Sequence, residues 1–110
     1  MVADIMEERN PQRAVLGIDQ TLAVTQEGRA RLVIVARGIR GRVRQCRQCG
    51  WTDRAADPVC PACGGERRLV ALREVFPALI RRMGVPVDVV AGRAVAKLKT
   101  VGGMAAWLRE

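Results

Sequence analysis

The chain has 110 residues, 49% of them hydrophobic and 27% charged, with no histidine and only Trp51, Phe76 and Trp107 as aromatic residues. That bounds it to one globular domain with an aliphatic core, and no apolar run nears the roughly 18 residues of a membrane span. Nineteen Lys and Arg face 11 Asp and Glu, for a net charge of +8, and the acidic start MVADIMEERN lacks the basic and apolar regions of a signal peptide, so the expectation is a cytoplasmic protein whose thiols stay reduced and which makes no membrane contact.

Residues 1–9 read as a short helix, interrupted at Asn10-Pro11. Over residues 12–27 the apolar positions Val15, Ile18 and Leu22 fall on one helical face, and Gly28 is placed to end the helix. Residues 31–36, a β-branched run without alternation, predict a strand buried on both faces. Gly38 and Gly41 lead into a cysteine segment that runs to Gly65, and residues 67–72 read as a returning strand. Leu72, Val75, Phe76, Leu79, Ile80 and Met83 keep helical spacing. Pro77 lies inside that pattern, which predicts a helix starting near Glu74 with the proline in its first turn, where it is tolerated. Gly84 ends it; Arg81 and Arg82 suit its negative end, and they and Arg67-Arg68 read as ordinary exposed charges at element ends. Residues 85–90 predict a second buried strand, Ala94, Val95 and Leu98 a short helix, and residues 104–108 a last strand after the turn at Gly102-Gly103. This alternation predicts an α/β fold, a three-layer αβα sandwich, with residues 1–41 and 66–110 as core and 42–65 as an inserted unit.

The inserted segment holds two CxxC pairs, Cys46/Cys49 and Cys60/Cys63, each followed by glycine, Gly50 and Gly64. A CxxC turn presents two thiolates from one chain reversal, and two facing turns give the tetrahedral sulfur set of a structural zinc ribbon. The alternatives for four such cysteines are an iron–sulfur site or two disulfides. A catalytic zinc keeps an open position and usually uses His or carboxylate ligands. A chain without histidine also lacks the commonest general base. No nucleophile–base pair, phosphate-cradling glycine loop or paired carboxylate stands out, so the sequence predicts no enzyme and no small-molecule substrate.

Arg37, Arg40, Arg42, Arg44, Arg47 and Arg54 crowd the cysteine segment, and no carboxylate falls among residues 37–52. Arg40, Arg42 and Arg44 alternate and would share one side of a strand. The functional reading is phosphate contact with nucleic acid; the plainer one is a solvated face. Only Lys97 and Lys99 are lysines, and guanidinium suits bidentate phosphate contact, although a GC-rich genome uses arginine by default. Trp51 either stacks on a base or packs across the ribbon, and packing is the commoner role.

The stretch Gly17-Ile-Asp-Gln-Thr-Leu, then Glu27-Gly28, then residues 30–36 resembles the start of the ribosomal kink-turn-binding protein fold. The C-terminal, third domain of the archaeal and eukaryotic class I peptide-release factors and of Pelota shares that fold. The CPxCG-type insert after the first strand is similar to the archaeal release-factor branch, and Gly102-Gly-Met-Ala-Ala-Trp-Leu-Arg109 is similar to that domain's closing strand. The resemblance covers nearly the whole chain and implies the third domain alone, as a stand-alone bacterial form or a fragment of a longer one. Asp19-Gln20 stand where kink-turn binders carry Asn-Glu, and an aspartate there repels a phosphate backbone. No Gly-Gly-Gln is present, so the chain does not release peptide by itself. What the resemblance implies is a translation-associated module that binds the ribosome or rRNA. It also implies an alternative, an adaptor for a translational GTPase without direct RNA contact, docking through residues 74–83 and the last strand with Trp107 as anchor. A DNA-binding zinc-ribbon regulator ranks below both, because no element stands out to enter a major groove.

Overall fold

The computed structural model describes residues 2–109. Eleven elements follow in chain order. They are α1 (Val2–Glu7), β1 (Ala14–Leu16), α2 (Ile18–Gln26), β2 (Ala30–Ala36), β3 (Arg42–Cys46), β4 (Thr52–Asp53), β5 (Arg67–Ala71), α3 (Leu72–Met83), β6 (Val87–Val90), α4 (Arg93–Lys99) and β7 (Met104–Leu108).

A four-stranded sheet in the order β1-β7-β2-β6 forms the middle layer. β2 is its spine, pairing parallel with β6 and antiparallel with β7. Alternate residues of each strand feed two separate cores. On one face Val33 and Val35 of β2 and Met104, Ala106 and Leu108 of β7 pack with Ile18 and Leu22 of α2 and Leu72, Val75, Phe76 and Leu79 of α3. On the other face Ile34, Ala36 and Ala105 pack with Val2 and Ile5 of α1 and Leu98 of α4. The expected αβα sandwich is therefore present. Ala30 and Val33 lie on the same side although three residues apart, because the ladder with β7 shifts between Ala30 and Leu32; the irregularity moves Arg31 over the Trp107 ring, 5.9 Å from its centroid.

Two expected boundaries differ. Residues 14–16 form β1, not the start of a helix; they pair antiparallel with Trp107, Ala106 and Ala105. Val15, Ile18 and Leu22 do share one core, which is what their spacing reflects, but Gly17 at φ 99° separates strand from helix. Helix α3 starts at Leu72, because β5 runs straight into it and the Leu72 N–H donates to the Gly41 carbonyl at 2.9 Å. Pro77 thus lies beyond the first turn, inside the helix, where it cannot donate to the Arg73 carbonyl.

The cysteine segment builds a second sheet, β4-β3-β5, all antiparallel. β5 pairs with β3 along its length, from Arg42 opposite Ala71 to Cys46 opposite Arg67. The small sheet thus extends past residue 65 to Ala71. Its inner face is continuous with the main core, since Val43 is buried there and Val70 packs against the same cluster.

Candidate metal centre

The two CxxC turns face each other at the end of the small sheet. The first leaves β3 at Cys46; the second lies before β5, where Val59 bridges Glu66. The four Sγ atoms of Cys46, Cys49, Cys60 and Cys63 all lie within 4.8 Å of one another. Between the turns, Cys46 and Cys63 approach to 3.4 Å and Cys49 and Cys60 to 3.5 Å. A tetrahedron with metal–sulfur bonds near 2.3 Å has edges of about 3.8 Å, so one cation fits this set. The thiols are unpaired, with no disulfide among them.

The backbone is arranged for charged sulfur. Cys46 Sγ accepts the N–H groups of Gln48 (3.3 Å) and Cys49 (3.4 Å), Cys49 Sγ accepts that of Trp51 (3.5 Å), and Cys60 Sγ accepts that of Ala62 (3.3 Å). Such bonds favour the thiolate. The Cys49 N–H, followed by the Gln48 N–H, brings the Cys46 thiol down to about 6 against the opposing effect of burial. At Cys49 the Trp51 N–H pulls down, but burial and the neighbouring thiols Cys60, Cys63 and Cys46 raise the thiol to about 12. One sulfur ionised beside another suppresses the next, and a cation on the four removes that conflict. Each turn closes on a glycine: Gly50 and Gly64 sit at φ 81° and 79° and donate to the carbonyls of Cys46 and Cys60, a backbone region that favours glycine. The donor set and its N–H cradle suit a closed structural site.

Outside the sulfurs, three contacts missed by sequence reasoning hold the ribbon. Arg67 is a correction to the expectation of an exposed charge: its side chain is fully buried. Its guanidinium donates to Asp53 Oδ1 at 2.6 Å and to the carbonyls of Ala55 (2.9 Å) and Asp57 (2.6 and 2.9 Å). Asp53 Oδ2 also accepts the Trp51 indole N–H at 3.0 Å, so Trp51, half-buried, is committed to the ribbon. The Gln26 side chain of α2 donates to the Thr52 carbonyl (2.6 Å) and accepts the Thr52 N–H (2.7 Å), occupying the place of a neighbouring strand on β4. Arg54 makes a two-pronged pair with Asp19 at the start of α2, at 2.7 and 2.8 Å.

The six arginines singled out in the sequence do not form one patch. Arg37 and Arg40 border a groove at the end of β2, and Arg40 also borders a neighbouring hollow with Arg42. Arg40 precedes β3, so only Arg42 and Arg44 share a strand face, with Arg44 opposite Asp53 and Leu69. Arg47 is exposed on the first CxxC turn, and Arg54 is engaged by Asp19. Trp107 is half-buried on the α1/α4 side of the sheet, opposite α3. The surface expected to join α3 to Trp107 is thus divided by the middle layer. No described helix is long and apolar enough to cross a membrane.

No protein-family model matches the chain, and no curated protein does. Among solved structures the chain is similar to the C-terminal domain of a peptide chain release factor from Methanosarcina mazei, at 25% sequence identity and a TM-score of 0.63, over 99% of this chain and 78% of that one.

Proposed function

We propose that this chain is a non-catalytic, translation-associated module of the cytoplasm, in which one structural zinc ion on Cys46, Cys49, Cys60 and Cys63 fixes an arginine-rich ribbon for contact with the ribosome through rRNA. The observation that carries the reading is the likeness to a release-factor C-terminal domain over 99% of the chain. A sulfur set within 4.8 Å and a net charge of +8, lowered to about +6 by four thiolates and one divalent ion, are consistent with it. Arg42 and Arg44 on the outer face of β3, with Arg37, Arg40 and Arg47, are the proposed phosphate contacts. Arg54 serves the ribbon's docking on α2 instead. The proposed division keeps the ribbon, residues 42–65, as an insert in a core of residues 1–41 and 66–110, joined to it by the pairing of β3 with β5.

The test is co-sedimentation of tagged, zinc-loaded protein with ribosomes at low and high salt. Binding at low salt that weakens with salt, and weakens further in the Arg40→Glu, Arg42→Glu, Arg44→Glu, Arg47→Glu variant, is expected. No co-sedimentation at any salt overturns the ribosome reading.

A protein-adaptor reading is favoured by one observation. An apolar groove of about 590 Å³ lies between α3 and the edge strand β6, floored by Phe76, Pro77, Ile80 and Val87 and bordered by Arg37, Arg40 and Arg73. A translational GTPase seated there would be retained by the arginine-to-glutamate variant after rRNA is lost, unless it uses Arg40.

A further inference from the structure

We propose that the cleft between the first CxxC turn, β5 and the end of α3 is a binding site for a phosphodiester group of an RNA backbone, gripped by Arg47, Arg68 and Arg82. The inference rests on the RNA reading above and assigns it a site that the ribbon's outer arginines do not supply. The cleft holds about 400 Å³ and is lined by Gln45, Cys46, Arg47, Gln48, Cys49, Gly50, Arg68 and Arg82. Neither a carboxylate nor an aliphatic side chain is among these, and the two cysteines belong to the metal centre, which leaves the arginines and glutamines to meet a ligand.

Three separate elements deliver the guanidinium groups. Arg47 comes from the CxxC turn, Arg68 from β5 and Arg82 from the last turn of α3. Arg68 donates to Gln45 Oε1 at 3.2 Å. Arg82 lies so close to the turn that a Cβ added at Gly50 would stand 2.5 Å from its Nη1. Elsewhere the arginines Arg29, Arg54 and Arg67 are each matched to a carboxylate. Arg47, Arg68 and Arg82 have no carboxylate partner among the described residues, so like charges converge with only the sulfur centre beside them.

The metal centre sets the charge of the ligand. Four thiolates on one divalent ion carry about −2, and three guanidinium groups outweigh that by about one positive charge. A singly charged diester matches that remainder, whereas a polyphosphate would exceed it. The paired N–H forks of arginine suit the two free oxygens of a diester.

The experiment titrates the full, zinc-loaded chain with a 12-nucleotide single-stranded RNA and, separately, with inorganic phosphate, following the amide and arginine Nε–H signals. Expected is an RNA-dependent shift of Arg47, Gly50, Arg68 and Arg82. The Arg68→Gln, Arg82→Gln variant should keep its zinc and its thermal midpoint. It should lose about tenfold or more in RNA affinity, and its salt slope should fall by about 0.7 for the one phosphate contact removed. RNA bound by this variant with unchanged affinity and slope overturns the site while leaving the ribbon's RNA contact standing. Loss of zinc or of stability with no change in affinity makes the arginines counter-ions of the sulfur cluster and overturns the site as well. Shifts with inorganic phosphate but not RNA overturn the RNA assignment. No RNA binding by the unaltered chain at low salt overturns both this inference and the direct RNA contact it rests on.

Discussion

Arg67 shows how one side chain can order a loop that has almost no apolar surface. Residues 53–59 lie over it, and four of its hydrogen bonds reach Asp53, Ala55 and Asp57. Removing one member of a buried ion pair leaves the other uncompensated, at about 3 kcal/mol or more. Arg67→Ala should lower stability by about that amount in denaturant unfolding and speed amide exchange across residues 53–59. Asp53→Ala should do the same, and the double variant should fall short of the sum because both delete one interaction. The exposed Asp19–Arg54 pair is of a different order. Its hydrogen bond to Arg54 holds the Asp19 carboxyl below its ordinary 3.8. A depressed carboxyl contributes stability above its unfolded value and loses it as pH falls through the folded one. With both side chains about half exposed, the pair is worth about 0.5 kcal/mol. Asp19→Asn should cost that small amount at neutral pH, and the difference from the unaltered chain should shrink as pH falls past 3.8 and vanish below the lowered folded value. Neither contact was legible in the sequence. Asp53 is 14 residues from Arg67 and Asp19 is 35 from Arg54, and no local pattern pairs charges at such distances.

At the scale of elements, chemistry read more clearly than geometry. The four cysteines were legible because a CxxC turn is a local device, whole within four residues. The apolar stripe of α3 was legible because burial on one face imposes a helical period, and β2 because burial on both faces leaves a short unbroken β-branched run. β1 was not, since three residues carry too little pattern to separate a strand from the helix that follows. The start of α3 was misplaced because the proline rule favours the first turn, while packing of Leu72 at 1% exposure holds the helix two residues earlier. The ribbon has two sorts of support, a cluster of four sulfurs that could hold a metal ion at one end and the Arg67 and Gln26 contacts along its strands. Chelation should therefore broaden or shift the amide signals of residues 46–51 and 60–65 most. Those of Val43 and Val70, which belong to the main core, should move least. Uniform collapse of both sheets on chelation would show that the metal holds the whole domain. Cys49→Ser or Cys60→Ser should reduce bound zinc from about one equivalent to a trace in metal analysis of reduced protein.

Taken whole, the molecule is a sandwich with two unequal cores and a basic attachment fused to the larger one. The fold class was readable from alternating apolar segments, and the solved release-factor domain has the same architecture over nearly the full chain. The distribution of charge was not readable, because arginines close in sequence separate once the chain turns at Gly38 and Gly41, while Arg68 and Arg82 come from distant segments to meet Arg47. The amide of Gln26 gives the whole molecule one more property. By grasping both the donor and the acceptor of Thr52, it moors the ribbon to α2 through contacts that involve no cation. The two sulfur turns then have only a short distance to search for each other. Zinc stripped by a chelator should be taken up again on simple readdition, restoring the original amide spectrum without passage through denaturant, whereas Gln26→Ala should refill slowly and incompletely.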